Sequence, residues 1–150
     1  MILLSRRSLL AIAAVVDIAL HARPLPVAAK QLAARHALPP RHLETLLQAL
    51  VRAGILKGVR GPRGGYELAR ERRRITAGDI VRAAMQDGGE DTLGPMPHSL
   101  LIDEVIAPEI ETASAAFLSS LEGVTVEELC RRALRQAQTG GAESHPDFTI

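Results

Sequence analysis

Apolar residues recur at intervals of three and four along most of this chain, and that spacing predicts a succession of amphipathic helices. Leu9, Ile12, Ala13, Val16, Ala19 and Leu20 mark the first, over residues 5–22. Pro24 and Pro26 break the pattern, a short helix follows over 27–35, and His36-Ala37-Leu38 turns the chain. Pro39 and Pro40 open the next helix, 39–53, because proline is tolerated in a first turn whose amides have no intrahelical partner. Its apolar stripe is Leu43, Leu46, Leu47, Leu50 and Val51, and Gly54 ends it. Arg41, His42, Glu44, Thr45 and Gln48 fall on the outward face. A short helix, a tight turn and a second helix form the helix-turn-helix pattern.

The period then changes. Residues 55–59 and 66–69 are β-compatible runs flanking Gly61, Pro62, Gly64 and Gly65. Glycine permits positive φ and close backbone approach, and proline presets one turn torsion, so the segment reads as a hairpin. It carries Arg60 and Arg63 directly after the second helix of the motif. A helix followed by a cationic two-stranded flap is the layout of a winged helix-turn-helix, where the helix enters a major groove and the wing reaches the adjacent backbone or minor groove.

Thr76 caps a further helix, 76–86, with Asp79 in its first turn, where an acid suits the helix dipole. Residues 87–97, with three glycines and two prolines, read as a loop. A long helix is expected over 98–121, striped by Leu101, Ile102, Val105, Ile106, Ile110, Ala113, Phe117, Leu118 and Leu121, with Pro108 kinking it or marking a boundary. Thr125 caps a last helix, 125–138, and the polar residues 139–150 read as a disordered tail. The chain is therefore expected to be mainly α with a small β-hairpin wing. A winged helix-turn-helix domain (1–86) leads through a loop (87–97) to dimerisation helices (98–138). A long apolar stripe outside a compact domain needs a covering surface, and a second copy is the simplest.

Charge sharpens this picture. The 150 residues sum to +1, but residues 1–82 carry 15 Lys and Arg against 5 acids, and residues 83–150 carry 3 against 12. Such asymmetry points to a polyanion partner for the basic half. Aromatics are only 2% of the chain, so the core is aliphatic. A single cysteine excludes an intramolecular disulfide and fits the reducing cytoplasm. No apolar run long enough for a membrane span appears. Ser5-Arg6-Arg7 before an apolar stretch superficially resembles a twin-arginine export signal. Asp17 in mid-stretch and the helical spacing of the apolar residues favour a folded helix instead. No nucleophile–base spacing, metal motif or phosphate loop stands out, so no enzyme is expected. The other reading of the basic half is a module that docks an acidic protein or an anionic surface.

Three segments carry a resemblance. They are Leu43-Glu44-x-x-Leu47-x-x-Leu50-x-x-Ala53-Gly54-Ile55, Val59-Arg60-Gly61-Pro62-x-Gly64-Gly65-Tyr66-x-Leu68, and Ile75-Thr76-x-Gly78-Asp79-Ile80-Val81-x-Ala83. With Ser5 and Arg6 ahead of them and Val124-Thr125-Val126-x-Glu128-Leu129 behind, the chain resembles the Rrf-two family of bacterial transcription regulators. The resemblance implies a homodimer with crossing long helices that reads a palindromic operator in double-stranded DNA, as a repressor. It places base contacts on Arg41, Glu44 and Arg60. Arginine binds guanine bidentately, and glutamate accepts from cytosine N4. Ser5, Arg6 and Arg63 complete the expected DNA-binding set, Arg63 as a phosphate or minor-groove contact where relatives carry a small residue.

The departures are as informative. Many relatives hold an iron–sulfur cluster through three cysteines in the loop, and 87–97 contains none. His98 matches a ligand position in some relatives, but one histidine without thiolates holds no cluster. Ser8 stands where others place an acidic ligand, and Cys130 reads as a small buried hydrophobe. No cofactor or metal is expected. A member without these ligands is then either constitutive or responsive to something other than iron, such as a small molecule or partner protein. Near the loop Leu93, Met96, Leu100 and Leu101 supply apolar groups and His98, Asp103 and Glu104 polar ones.

Overall fold

A computed structural model describes residues 4–86 and 97–140. Helix α1 (Arg6–His21) runs through the centre of the core. Ser5 caps it, its Oγ accepting from the Ser8 amide at 3.1 Å. Ala11, Ala14, Val15 and Ile18 are all but inaccessible, so the buried face of α1 is not the stripe the spacing marked: of Leu9, Ile12, Ala13, Val16, Ala19 and Leu20 only Ala19 is buried, and Leu9 is 43% exposed. Helix α2 (Ala29–His36) and helix α3 (Pro40–Arg52) form the helix-turn-helix, joined through Ala37 in the left-handed region at φ 49°. On α3, Leu43, Leu46, Leu47 and Leu50 are buried, while Arg41, His42, Glu44, Thr45 and Gln48 are exposed. Both faces match the periodicity.

Strands β1 (Leu56–Val59) and β2 (Gly65–Leu68) pair antiparallel, Leu56 opposite Leu68 and Val59 opposite Gly65. Gly61 takes the turn at φ +118°, a conformation an L side chain rarely adopts. Gly65 is required for a different reason. A Cβ there would overlap the Val27 carbonyl oxygen, because Val27 lies against β2 and exchanges backbone hydrogen bonds with Tyr66 at 2.8 and 2.9 Å. Val27 therefore extends the wing by a one-residue bridge rather than opening α2, which starts two residues later than expected.

A 3₁₀ turn, Arg72–Arg74, precedes helix α4 (Ala77–Gln86). Thr76 and Asp79 form a reciprocal cap: the Thr76 amide donates to Asp79 Oδ2 at 3.0 Å, and the Asp79 amide to Thr76 Oγ1 at 3.1 Å. Beyond the loop, helix begins at Leu100 rather than His98, because Ser99 caps it by accepting from the Ile102 amide at 3.2 Å. Residues Ile102–Ile106 form a π turn, closed by the Ala107 amide on the Ile102 carbonyl, and helix α5 (Ala107–Glu122) continues from it. Pro108 explains the widened turn: its ring would collide with the carbonyl four residues back in a regular helix. Helix α6 (Val126–Gly140) is capped by Thr125 Oγ1 on the Glu128 amide at 3.2 Å.

The tail needs one correction. Thr139 and Gly140, expected to be disordered, belong to α6, where Thr139 Oγ1 donates to the Arg135 carbonyl at 3.1 Å. Residues 141–150, and the loop apart from Pro97, lie outside the described residues. The Ala77 amide bonds to Val124 O and the Val126 amide to Ile75 O, each at 2.8 Å, which ties α6 back to the winged domain. Val126 and Cys130 enter the common core.

Candidate nucleic-acid interface

The exposed face of α3 opens into a hollow of about 1020 Å³ lined by Arg7, Arg41, His42, Glu44, Thr45, Gln48 and Arg52. A second hollow, about 440 Å³, lies between α3 and the wing and is lined by Gln48, Val51, Gly58, Val59, Arg60, Gly65 and Tyr66. Gln48 borders both, so the two form one trough running from the start of α3 to the wing. Arg41 and Glu44 stand in its first half and Arg60 in its second. Arg6 lines a third hollow with His42 and Thr45, beside the same helix. Arg63 stands exposed at the wing tip. Ser5 has a structural task as the α1 cap.

Several trough residues lie outside the expected set. Arg7 reaches the α3 face while its Nε donates to the Ala84 carbonyl at 3.1 Å, which joins α1, α4 and the trough. Gln48, Thr45 and Arg52 share the wall. Their offsets of four, seven and eleven residues from Arg41 place them on the same helix face and carry that signal in the sequence. Arg7 carries none, because its position depends on how α1 packs against α4.

A buried ion cluster fixes the frame behind the trough. Asp17 on α1 is 7% exposed and receives Arg35 Nε at 2.9 Å and Nη2 at 2.6 Å, with His36 Nε2 at 2.8 Å and His21 Nδ1 at 3.1 Å. Arg35 and His36 end α2, just before the turn into α3. Burial pushes the Asp17 carboxyl up, but hydrogen bonds from Arg35 and His36, with the charges of Arg35 and His21, outweigh it and hold the group below its ordinary range.

The expected effector region is open. Leu100 and Leu101 are 82% and 61% exposed, and His98 sits 3.4 Å from Asp103 on the surface. Leu93 and Met96 lie outside the described residues. The one cysteine of the sequence, Cys130, is buried on α6, and burial pushes its thiol up. Among the described residues no group of three or more His, Cys, Asp or Glu is placed to hold a metal ion. The side chains present do not supply the thiolate-rich set that an iron–sulfur cluster needs.

A helix-turn-helix followed by a β-hairpin, with arginines on the outward helix face and on the hairpin, defines a winged-helix DNA-binding transcription regulator. Residues 4–132 match the family described as Rrf2, iron-dependent transcriptional regulator, and the chain belongs to that family. It is 34% identical over 131 residues to a protein of Synechocystis sp. named as the HTH-type transcriptional regulator slr0846, covering 84% of this chain and 86% of that one. Among solved structures it resembles T. potens IscR, with a TM-score of 0.66 and 31% identity over 87% of each chain. It also resembles CymR, the global cysteine regulator of B. subtilis, with a TM-score of 0.65 and 26% identity over 88% of this chain and 98% of that one. These relatives are transcription regulators, not enzymes. No helix among the described residues is long and apolar enough to cross a membrane.

Proposed function

We propose that the protein is a cytoplasmic, cluster-free repressor that binds a palindromic operator as a homodimer. The observation that carries this reading is that Arg41 and Glu44 line a hollow on α3 and Arg60 the adjoining one at the wing, with Gln48 bordering both. In the proposed pose α3 lies in a major groove, with Arg41 and Glu44 at base edges, and Arg60 enters the neighbouring groove. Arg6 and Arg63 neutralise phosphates, and Ser5 contributes through the N-terminus of α1 that it caps. Two copies joined along α5 give the two-fold symmetry that a palindrome matches. Repression follows where the dimer occupies promoter DNA.

The name of the family includes iron, and this chain departs from that chemistry. One buried thiol replaces a cysteine set, so the regulator answers to a small molecule or a protein partner. Selection of genomic fragments followed by titration of the recovered duplex tests the DNA reading. A palindromic consensus with affinity falling steeply as salt rises is the expected result, and salt-sensitive binding without sequence preference would overturn it. Anaerobic incubation with iron and sulfide tests the cluster-free reading, with no charge-transfer absorption and unchanged operator affinity expected.

A further inference from the structure

A second cationic site lies at the base of the wing, apart from the trough. Here a cleft of about 550 Å³ opens between the end of α1, the Lys57–Glu67 rung of the hairpin and the segment that joins β2 to α4. Four of the five residues from Arg70 to Arg74 are arginine. Ion pairs or hydrogen bonds engage part of the charge. Lys57 pairs with Glu67 at 3.0 Å, Arg73 pairs with Glu71 at 2.6 Å, and Arg72 donates to the Ala19 carbonyl, which holds one wall against α1. Arg23, Arg70 and Arg74 line the cleft with no such partner among the described residues. Ala22 and Leu68, both half-buried, add apolar surface to its lining.

This cleft does not belong to the trough. The two have no lining residue in common: Lys57, Glu67 and Leu68 border the cleft, whereas Gly58, Val59, Gly65 and Tyr66 line the hollow against α3. Exposed guanidinium groups that line one cleft suit a phosphate-bearing ligand, because the planar fork matches phosphate oxygens bidentately. The volume falls within the range of small-molecule sites, about 300–1,000 Å³.

We infer that the cleft between α1 and the base of the wing binds a small organic phosphate, its phosphate held by Arg23, Arg70 and Arg74 and its compact apolar part resting on Ala22 and Leu68. The ligand class follows from the charge and the apolar lining. A fully hydrated inorganic anion leaves those apolar side chains unused.

Calorimetric titration of the full chain with inorganic pyrophosphate, at ionic strength held constant with potassium chloride, tests the anion subsite without DNA present. One saturable site per chain is expected. The double variant Arg70→Ser/Arg74→Ser should weaken it by about tenfold or more. Arg131→Ser/Arg132→Ser, which removes equal charge from α6, should leave it unchanged, with thermal melts confirming that both variants fold. The absence of a saturable site, or equal losses in the two double variants, overturns the inference. So does a result in which pyrophosphate fails to saturate while Arg70→Ser/Arg74→Ser weakens DNA binding and flattens its salt dependence, which would make the cluster a backbone contact. Because the titration contains no DNA, its failure leaves the operator reading untouched.

Discussion

Asp17 is the residue on which the orientation of the recognition helix turns. It lies on the central helix, and its carboxylate gathers the last two side chains of α2 immediately before the turn into α3. Asp17→Asn preserves shape but removes the charge that Arg35 and His36 face. Since Arg35 is 37% exposed, water replaces part of the lost interaction, and the expected cost is about 2 kcal/mol. Urea unfolding at neutral pH, at fixed protein concentration, should show a lower midpoint with an unchanged slope. The folded carboxyl titrates below its unfolded value, which lies at about 3.9. The stabilisation is therefore complete above that value and lost as pH falls through the folded pKa, so wild type and variant should converge in acid. The sequence shows that Asp17 interrupts an apolar run, which is enough to count against an export signal. It does not show the partners, because Arg35 and His36 meet Asp17 only once α2 has folded back across α1.

Among the elements, α3 and the wing divide the work of recognition in the proposed pose, and their variants separate sequence reading from charge. Arg60 lies in the trough beside Gln48, whereas Arg63 stands at the tip. Arg60→Ala should cost about 1–3 kcal/mol on the operator and relax preference at particular base pairs. Arg63→Ala should weaken all duplexes alike and lower the salt slope by about one. Anisotropy titrations of both variants on the operator and on scrambled duplex, over a range of salt, read the two effects. An Arg60→Ala protein with unchanged affinity and selectivity would rule out the pose. The parts of these elements that depend on local rules are legible in the chain. The leucine stripe of α3, the Thr76–Asp79 cap, the Thr125 cap and the glycine turn each follow from spacings of four residues or fewer. The bridge from Val27 to Tyr66 joins residues far apart in sequence, so α2 reads as too long by its first turn. The π turn is a middle case: Pro108 signals a disturbance in the long helix, but a widened turn is only one of its outcomes.

At the scale of the whole molecule, the apolar surface of the long helix has no cover among the described residues. Val105, Ile106 and Ile110 are 45–60% exposed on a helix with no buried residue, while Phe117 and Leu118, further along it, are half-buried near α4. Arg82 pairs with Glu122, and Gly78 lets α4 approach α5 so closely that a Cβ would meet the Glu122 side chain. The C-terminal half of α5 is thus anchored to the winged domain, and the other half projects its stripe outward. A second copy would cover that stripe and, through the anchored half, fix the distance between the two recognition helices. Each substitution in a two-fold interface acts twice, so Ile106→Glu/Ile110→Glu places four carboxylates in one apolar contact. Light scattering should report a monomer with the helical circular dichroism of the winged domain retained. Each half-site would then bind on its own, without the effective concentration that linkage provides, and operator affinity should fall about 10²–10⁴-fold. A single half-site duplex should bind this variant and a wild-type winged domain equally. If the variant remained dimeric at micromolar concentration, the α5 stripe would not be the dimer contact, and the symmetry of the operator would need another origin.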